Sequence, residues 1–386
     1  MHIGFLTPEY PHPKISHSGG LGSSLQNLVL SLQEQAVTIS VFVYGQKEDT
    51  EFEENDIHFY CIKQKTYKIG GFYCYRKYIN KKLNYWIQHT NIDVLEVPDW
   101  TGITAFMNFS VPVIMRFHGS DTYFCHLENR PQKFKNRFFE QQAVTHANAF
   151  IAPTTFAGNV SKELFHIKNK TVKTIHYGLN LEQFNNENPE QLKAFTILYL
   201  GTIIRKKGVL ELPAIFEKVQ QKYPKARLLL IGGDSADIKT GSTSTWALLH
   251  QKIKEKNLSG IQYLGKMHYS EVKNHIKNAH VCIFPSYAET LGMVTIESMA
   301  LQKTVVNTNI GWAKEIIDHG KDGLMAYPAD HDGFANTIKQ IFEDDFLREK
   351  LQKNARLKVE ERFDIQNKAI ENIEFYQEIL ATQNHD

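Results

Sequence analysis

The chain has 386 residues, 42% of them hydrophobic and 22% charged, with a formal net charge of +2. One hydrophobic core rarely serves more than about 250–300 residues, so two domains are expected, and the near-neutral balance gives no global pull toward nucleic acid. The cysteines Cys61, Cys74, Cys125 and Cys282 form no C-x-x-C pair, which argues against a zinc site or disulfide framework, and no apolar run approaches the ~20 residues of a membrane span.

In chain order, short apolar runs alternate with helix-length segments. Residues 2–6 (HIGFL) open a strand that ends at Pro8, where a signal peptide would stay apolar, so a cytoplasmic location is expected. A helix over 23–35 and strands at 37–44, 93–97, 111–117, 149–152 and 171–175 follow. Beyond the Asn-rich stretch 180–194 the pattern restarts, with strands at 195–201, 226–233, 261–265, 280–284 and 304–308 and helices over 209–223 and 244–256. Alternation of this kind predicts parallel sheets covered by helices on both faces. The expected fold class is α/β, two doubly wound domains facing each other across a cleft. Residues 365–381 have helical periodicity and no evident place in the second sheet.

Each half opens with a strand, a glycine-bearing loop and a helix. In SGGLGSS (18–24) the glycines allow backbone amides near Gly19 and Gly20 to approach a phosphate at a helix beginning near Ser24, or they serve a tight turn alone. No third glycine follows at the dinucleotide-binding spacing, which speaks against a hydride-transferring enzyme. In the second half, Arg205, Lys206 and Lys207 stand between a strand and a helix start, where positive charge opposes the helix dipole and a bound anion would relieve it. Further on, PSYAETLGMVTIESMA (285–300) carries Glu289 on a loop after a strand and Glu297 in the second turn of a helix beginning near Leu291. Carboxylates this close to an apolar core need partners, from the protein or from a ligand. The acidic pair Asp330 and Asp332 precedes a helix and reads as a turn or N-cap rather than a metal site.

Together GGLG, RFHGSD (116–121), IHYGLNLEQF (175–184), GTIIRKKG (201–208), PSYAETLGMVTIESMALQKTVV and GKDGLMAYPAD (320–330) resemble the glycosyltransferases of family 4. The resemblance implies the GT-B architecture of two Rossmann-like domains: residues 1–179 on the acceptor side, joined by a C-terminal helix over 366–386, and residues 180–365 for the donor. It implies retaining, metal-independent transfer of a sugar from a nucleoside-diphosphate donor, UDP favoured over GDP, with no separate cofactor. By the same resemblance Glu297 accepts hydrogen bonds from ribose hydroxyls and Glu289 holds the transferred sugar. Lys207 and Arg205 neutralise the departing diphosphate, amides of Leu291, Gly292, Met293, Gly19 and Gly20 add donors, and His118 approaches the donor sugar. The sequence departs from many relatives at Thr202, where they carry arginine.

On the acceptor side, residues 57–92 contain no acid but carry Lys63, Lys65, Lys68, Arg76, Lys77, Lys81 and Lys82 among aromatic residues, and 130–139 repeats the theme. Segments 63–86 and 130–139 are candidates for peripheral contact with the inner face of a membrane, or are solvated helices with their aromatic residues in the core. The expected partners are the nucleotide-sugar donor and a glycan or lipid-linked acceptor. A sugar phosphorylase, a nucleotide-sugar epimerase and a silent sugar-nucleotide-binding protein remain rivals on the same fold.

Overall fold

The computed structural model describes residues 1–16 and 18–383. The chain divides into two compact units, Met1–Asn180 with Asp364–Asp386, and Leu181–Phe363.

Unit 1 contains strands β1 (His2–Thr7), β2 (Thr38–Gln46), β3 (Thr50–Glu54), β4 (Ile57–Lys63), β5 (Val94–Pro98), β6 (Val113–Arg116), β7 (Ala149–Ala152) and β8 (Val172–Thr174). Its helices are α1 (Gly20–Gln33), α2 (Gly71–Thr90), α3 (Asp121–Leu127), α4 (Phe134–His146) and α5 (Thr155–Leu164). The strand order is β3-β4-β2-β1-β5-β6-β7-β8, and every pairing is parallel except β3 with β4. Central strands are buried along their whole length because helices cover both faces, which is why they read as apolar runs. The β3–β4 hairpin has no counterpart in the sequence reading. Its edge strand TEFEE is mostly exposed and offers no apolar run to betray it.

Unit 2 contains β9 (Thr196–Leu200), β10 (Arg227–Ile231), β11 (Ile261–Tyr263), β12 (Val281–Phe284), β13 (Val305–Thr308) and β14 (Leu324–Ala326). Between and after them lie α6 (Leu212–Gln220), α7 (Thr245–Glu255), α8 (Tyr269–Asn278), α9 (Met293–Ala300), α10 (Ala313–Ile316), α11 (His331–Glu343) and α12 (Asp345–Arg362). The order β11-β10-β9-β12-β13-β14 is fully parallel. It is the doubly wound arrangement 3-2-1-4-5-6, whose switch point, between β9 and β12, opens a crevice at the carboxyl ends of the strands. Side-chain caps start several helices: Ser244 accepts from Ala247 N, and Asp344 from Leu347 N.

The last helix, α13 (Ile365–Gln383), packs in unit 1 beside α1. Arg116 of β6 donates to both Glu96 carboxylate oxygens at 2.7 and 2.8 Å and to Asn372 of α13 at 2.5 Å, while Tyr376 donates to Glu96 at 2.5 Å. All four side chains are buried, so losing any one strands a charge or a donor in the core. Residues 384–386, the end of the expected C-terminal helix, lie outside the described residues.

Candidate active site

The carboxyl ends of β9 and β12 carry the strongest sequence candidates. After β9 the chain makes a 3-10 turn, Arg205–Lys207, and then Gly208 in the left-handed region at φ 69. A Cβ on Gly208 would lie 1.8 Å from the Pro285 carbonyl oxygen, so only glycine lets this turn pass the end of β12. Two amides close the approach, Tyr287 N at 2.8 Å and Ala288 N at 3.2 Å from the Lys206 carbonyl. The result sets the Lys207 ammonium directly against the Glu289 carboxylate. Burial and the charge of Lys206 pull the ammonium down, to about 7, while the facing carboxylate favours the charged form.

The three cations do not sit at the start of α6, as the sequence reading supposed. They form their own turn, a second 3-10 turn (Val209–Glu211) intervenes, and α6 begins at Leu212. The dipole argument for a bound anion therefore falls away here. Arg205 has a protein partner. It forms a bidentate pair with Asp237 at 2.7 and 2.8 Å, and Asp237 also accepts from Thr240. That pairing holds the Asp237 carboxyl far below the usual range and uses the guanidinium as a strut for the loop after β10.

Gly292 caps α9 at φ 93, and Leu291 and Met293 flank it, so their amides lie at that helix start. Glu297 stands one turn further in. Burial lifts its carboxyl to about 7, against opposing pulls from the Tyr269 hydroxyl, which donates to it, and from Lys273. Both glutamates thus have protein partners, Lys207 and Tyr269. Tyr269 had no signal in the sequence reading, because it approaches from the start of α8. Asp330 caps α11, accepting from Gly333 N at 2.9 Å, and Asp332 pairs with Lys218 at 2.7 Å. Among the described residues no group of three or more His, Cys, Asp or Glu is placed to hold a metal ion.

Unit 1 has its own switch point, between β1 and β5. Here α1 begins at Gly20, four residues before the expected start, with Gly19 as its N-cap. The reason is Glu9, whose carboxylate accepts from Gly22 N at 2.7 Å and would lie only 2.8 Å from a Cβ on Gly19. The glycines therefore admit a carboxylate of the chain itself to the helix start, a residue the sequence reading missed. Across the switch point, Asp99 accepts from His118 N at 2.9 Å and Gly119 N at 3.2 Å, fixing the HGSD loop. His118 Nδ1 lies 2.6 Å from the Tyr177 hydroxyl, with the two rings stacked. Burial and Arg116 lower the imidazole to about 3, so it is neutral at physiological pH. Tyr177 lay in the quoted IHYGLNLEQF block without being singled out. The cavity beside His118, walled by α1, α13 and the ends of β1 and β5, measures about 30 Å³, room for a water or two and not for a sugar.

Two successive doubly wound parallel sheets, each with polar loops at its switch point, are the GT-B architecture of sugar-transferring enzymes. The chain matches Glycosyltransferase Family 4 over residues 18–183 and Glycosyl transferases group 1 over residues 181–358. It belongs to the family 4 glycosyltransferases. An uncharacterized glycosyltransferase of Methanocaldococcus jannaschii is 25% identical over 357 residues, covering 91% of this chain and 92% of its own. The structure of sucrose-phosphate synthase from Thermosynechococcus elongatus superposes with a TM-score of 0.80 at 18% identity, over 99% of each chain. That of HepE from Anabaena, solved with UDP and glucose, gives 0.71 at 16% identity over 97% of this chain and 99% of its own. At such identities these two structures speak for the fold.

Proposed function

We propose that this transferase is a retaining, metal-independent enzyme that moves a hexose from a nucleoside-diphosphate sugar to a glycan or glycoconjugate acceptor in the cytoplasm. The observation that carries the reading is the placement of Lys207 and Glu289 on the loops after β9 and β12, with Glu297 on α9 beside them, at the switch point of the unit 2 sheet. UDP is the diphosphate this reading favours; the Anabaena structure was solved with UDP.

Leaving-group departure concentrates negative charge on the diphosphate, and preorganised donors stabilise it most. Lys207 supplies the cation, and amides of Leu291, Gly292 and Met293 at the start of α9 add donors. The Gly19 and Gly20 amides would do the same from unit 1. Arg205, committed to Asp237, shapes the loop and contributes charge at longer range. Glu289 passes its hydrogen-bonding capacity from Lys207 to sugar hydroxyls, and Glu297 takes the ribose. With Nδ1 held by Tyr177, His118 Nε2 is the nitrogen assigned to the transferred sugar; Asp99 and Tyr177 are positioning residues behind it. No carboxylate here is asked to attack the sugar, so orientation and charge stabilisation supply the rate.

The test is a thermal-shift titration with nucleoside diphosphates and their sugars, followed by NMR of the product's anomeric configuration. Stabilisation by one nucleotide series, weakened in Glu297→Ala, and a product of unchanged configuration are expected. Turnover should survive excess chelator. No stabilisation by any nucleotide, an inverted product, or activity lost to chelator and restored by metal would overturn the corresponding part.

A further inference from the structure

Unit 1 sorts the two basic and aromatic segments of the sequence. Tyr75, Ile79, Leu83 and Trp86 enter the core, and Arg76 turns inward onto the carbonyls of Thr101 and Gly102. Lys65 and Lys82 lie against Tyr78 and Trp86. Tyr85, toward the end of α2, is exposed on its own. The other exposed apolar and aromatic side chains of 63–86 and 130–139 gather at the turn into α2 and the first two turns of α2 and α4. There Ile69 is 89% exposed and Phe134 82%, with Phe72, Tyr73 and Phe138 between 42 and 56%.

These side chains form one surface. Phe134 stacks on Phe138 at 6.3 Å, Phe138 meets Phe106 at 6.0 Å, and Phe106 meets Tyr73 at 5.7 Å. Lys135 lies over the Phe72 ring, joining α4 to α2. Single exposed apolar residues need no explanation, but a contiguous aromatic patch does. Its rim is uniformly cationic: Lys68, Lys77, Lys133 and Lys135 are exposed, and neither 57–92 nor 129–139 contains an acid.

We propose that this face of unit 1 docks on an anionic lipid bilayer, with Ile69 and the exposed phenylalanines entering the headgroup boundary and the lysines meeting anionic headgroups. Charge complementarity selects this occupant, since a patch with cations on its rim and no acids suits a uniformly negative surface. The two most exposed apolar side chains lie at the start of helices, Ile69 just ahead of α2 and Phe134 as the first residue of α4, where they can enter a headgroup layer without unfolding either helix. In naming where a lipid-linked acceptor would be met, the inference rests on the transferase reading above; the docking itself rests on this surface alone.

The experiment is co-sedimentation of the full chain with phosphatidylcholine vesicles, with and without phosphatidylglycerol. Binding should require the anionic lipid and weaken with salt. Lys133→Gln with Lys135→Gln should lower partition about 30-fold, equal to about 2 kcal/mol at about 1 kcal/mol per cation. Phe134→Ser should lower it about tenfold while leaving the melting temperature unchanged, because Phe134 supports no core. Failure to bind, equal binding to both vesicles, or binding undiminished in the variants overturns the proposal. So does a change of oligomeric state in the variants without loss of vesicle binding, which would assign the face to a second copy. Nucleotide-induced stabilisation, measured on the same proteins, separates the two readings. Its absence with vesicle binding intact sinks the donor site and leaves the docking, and the reverse sinks the docking alone.

Discussion

Acidity should reach nucleotide binding through Glu297. Burial lifts its carboxyl from an ordinary 4.5 to about 7, although Tyr269 and Lys273 already favour the charged form. Ribose hydroxyls donating to that carboxylate add to the same side, so binding drives the group back toward its ordinary value and expels a proton. At 1.36 kcal/mol per pH unit, full return is worth about 3 kcal/mol. Affinity for UDP-glucose, whose diphosphate has no proton to exchange in this range, should therefore rise by up to about tenfold per unit from pH 5 toward 7. Lys207 works in the opposite sense. Burial and Lys206 bring its ammonium to about 7, a diphosphate raises it, and affinity falls above that pH. Glu297→Gln keeps an acceptor for Tyr269 but has no proton to lose, so it abolishes the rising limb and leaves the falling one.

The unliganded protein supplies an independent check with its own sign. A carboxyl raised in the folded state contributes stability that is full below 4.5 and lost as pH rises through about 7. Glu297→Gln should thus be nearly neutral at the acid end and stabilising by up to about 3 kcal/mol at pH 8. Calorimetric titration from pH 5.5 to 8, in buffers of different ionisation enthalpy, counts the protons directly. A rising limb that persists in Glu297→Gln, or is absent from the natural chain, would refute the assignment of ribose to this carboxylate.

Other perturbations separate scaffold from chemistry. Gly208→Ala must place a Cβ 1.8 Å from the Pro285 oxygen at positive φ, which should cost about 3 kcal/mol or more. Scanning calorimetry should show unit 2 melting about 6–12 °C lower, with nucleotide affinity lost. Arg205→Met leaves the Asp237 side chain, only 1% exposed, without its bidentate partner. A loss of about 2–4 kcal/mol with turnover nearly unchanged is expected; a hundredfold fall in kcat at unaltered stability would make Arg205 a phosphate ligand instead. Tyr177→Phe keeps the ring stack on His118 but removes its Nδ1 partner. It should lower kcat about tenfold with KM and melting temperature little changed, and steady-state kinetics will show whether the loss falls on KM instead.

Much of the fold was legible because parallel strands buried on both faces leave contiguous apolar runs such as HIGFL and HVCIF. Strand β3 was not, since an exposed edge strand needs charge rather than apolarity, and β4 was passed over although its residues form a buried apolar run. In the sites, Lys207 and its partner Glu289 were both found, but the partners of Arg205, His118 and Glu297 were not. Asp237 reaches Arg205 across 32 residues, Tyr177 reaches His118 across 59, and Tyr269 comes to Glu297 from the start of a different helix. Such pairs are set by strand order, which no local period encodes. The start of α1 was misplaced for a related reason. Three glycines argue against helix by propensity, yet two of them are needed for the close approach of Glu9.

The partners so revealed set two groups of carboxylates apart. Glu9, Asp99 and Glu140 accept from main-chain amides, of Gly22, of His118 and Gly119, and of Asp121 and Thr122. Such donors cannot leave without bending the chain, so these three fix loops and offer little to a ligand. Glu289 meets the tip of Lys207, and Glu297 the hydroxyl of Tyr269. Either side chain can shift by rotation about its own bonds, so that an arriving hydroxyl joins it on the carboxylate at small net cost. Lys207 and Tyr269 meanwhile supply donors that carboxylates shielded from water need. Under the proposed function, that mobility is what lets the two glutamates at the unit 2 switch point take hydroxyls of the donor.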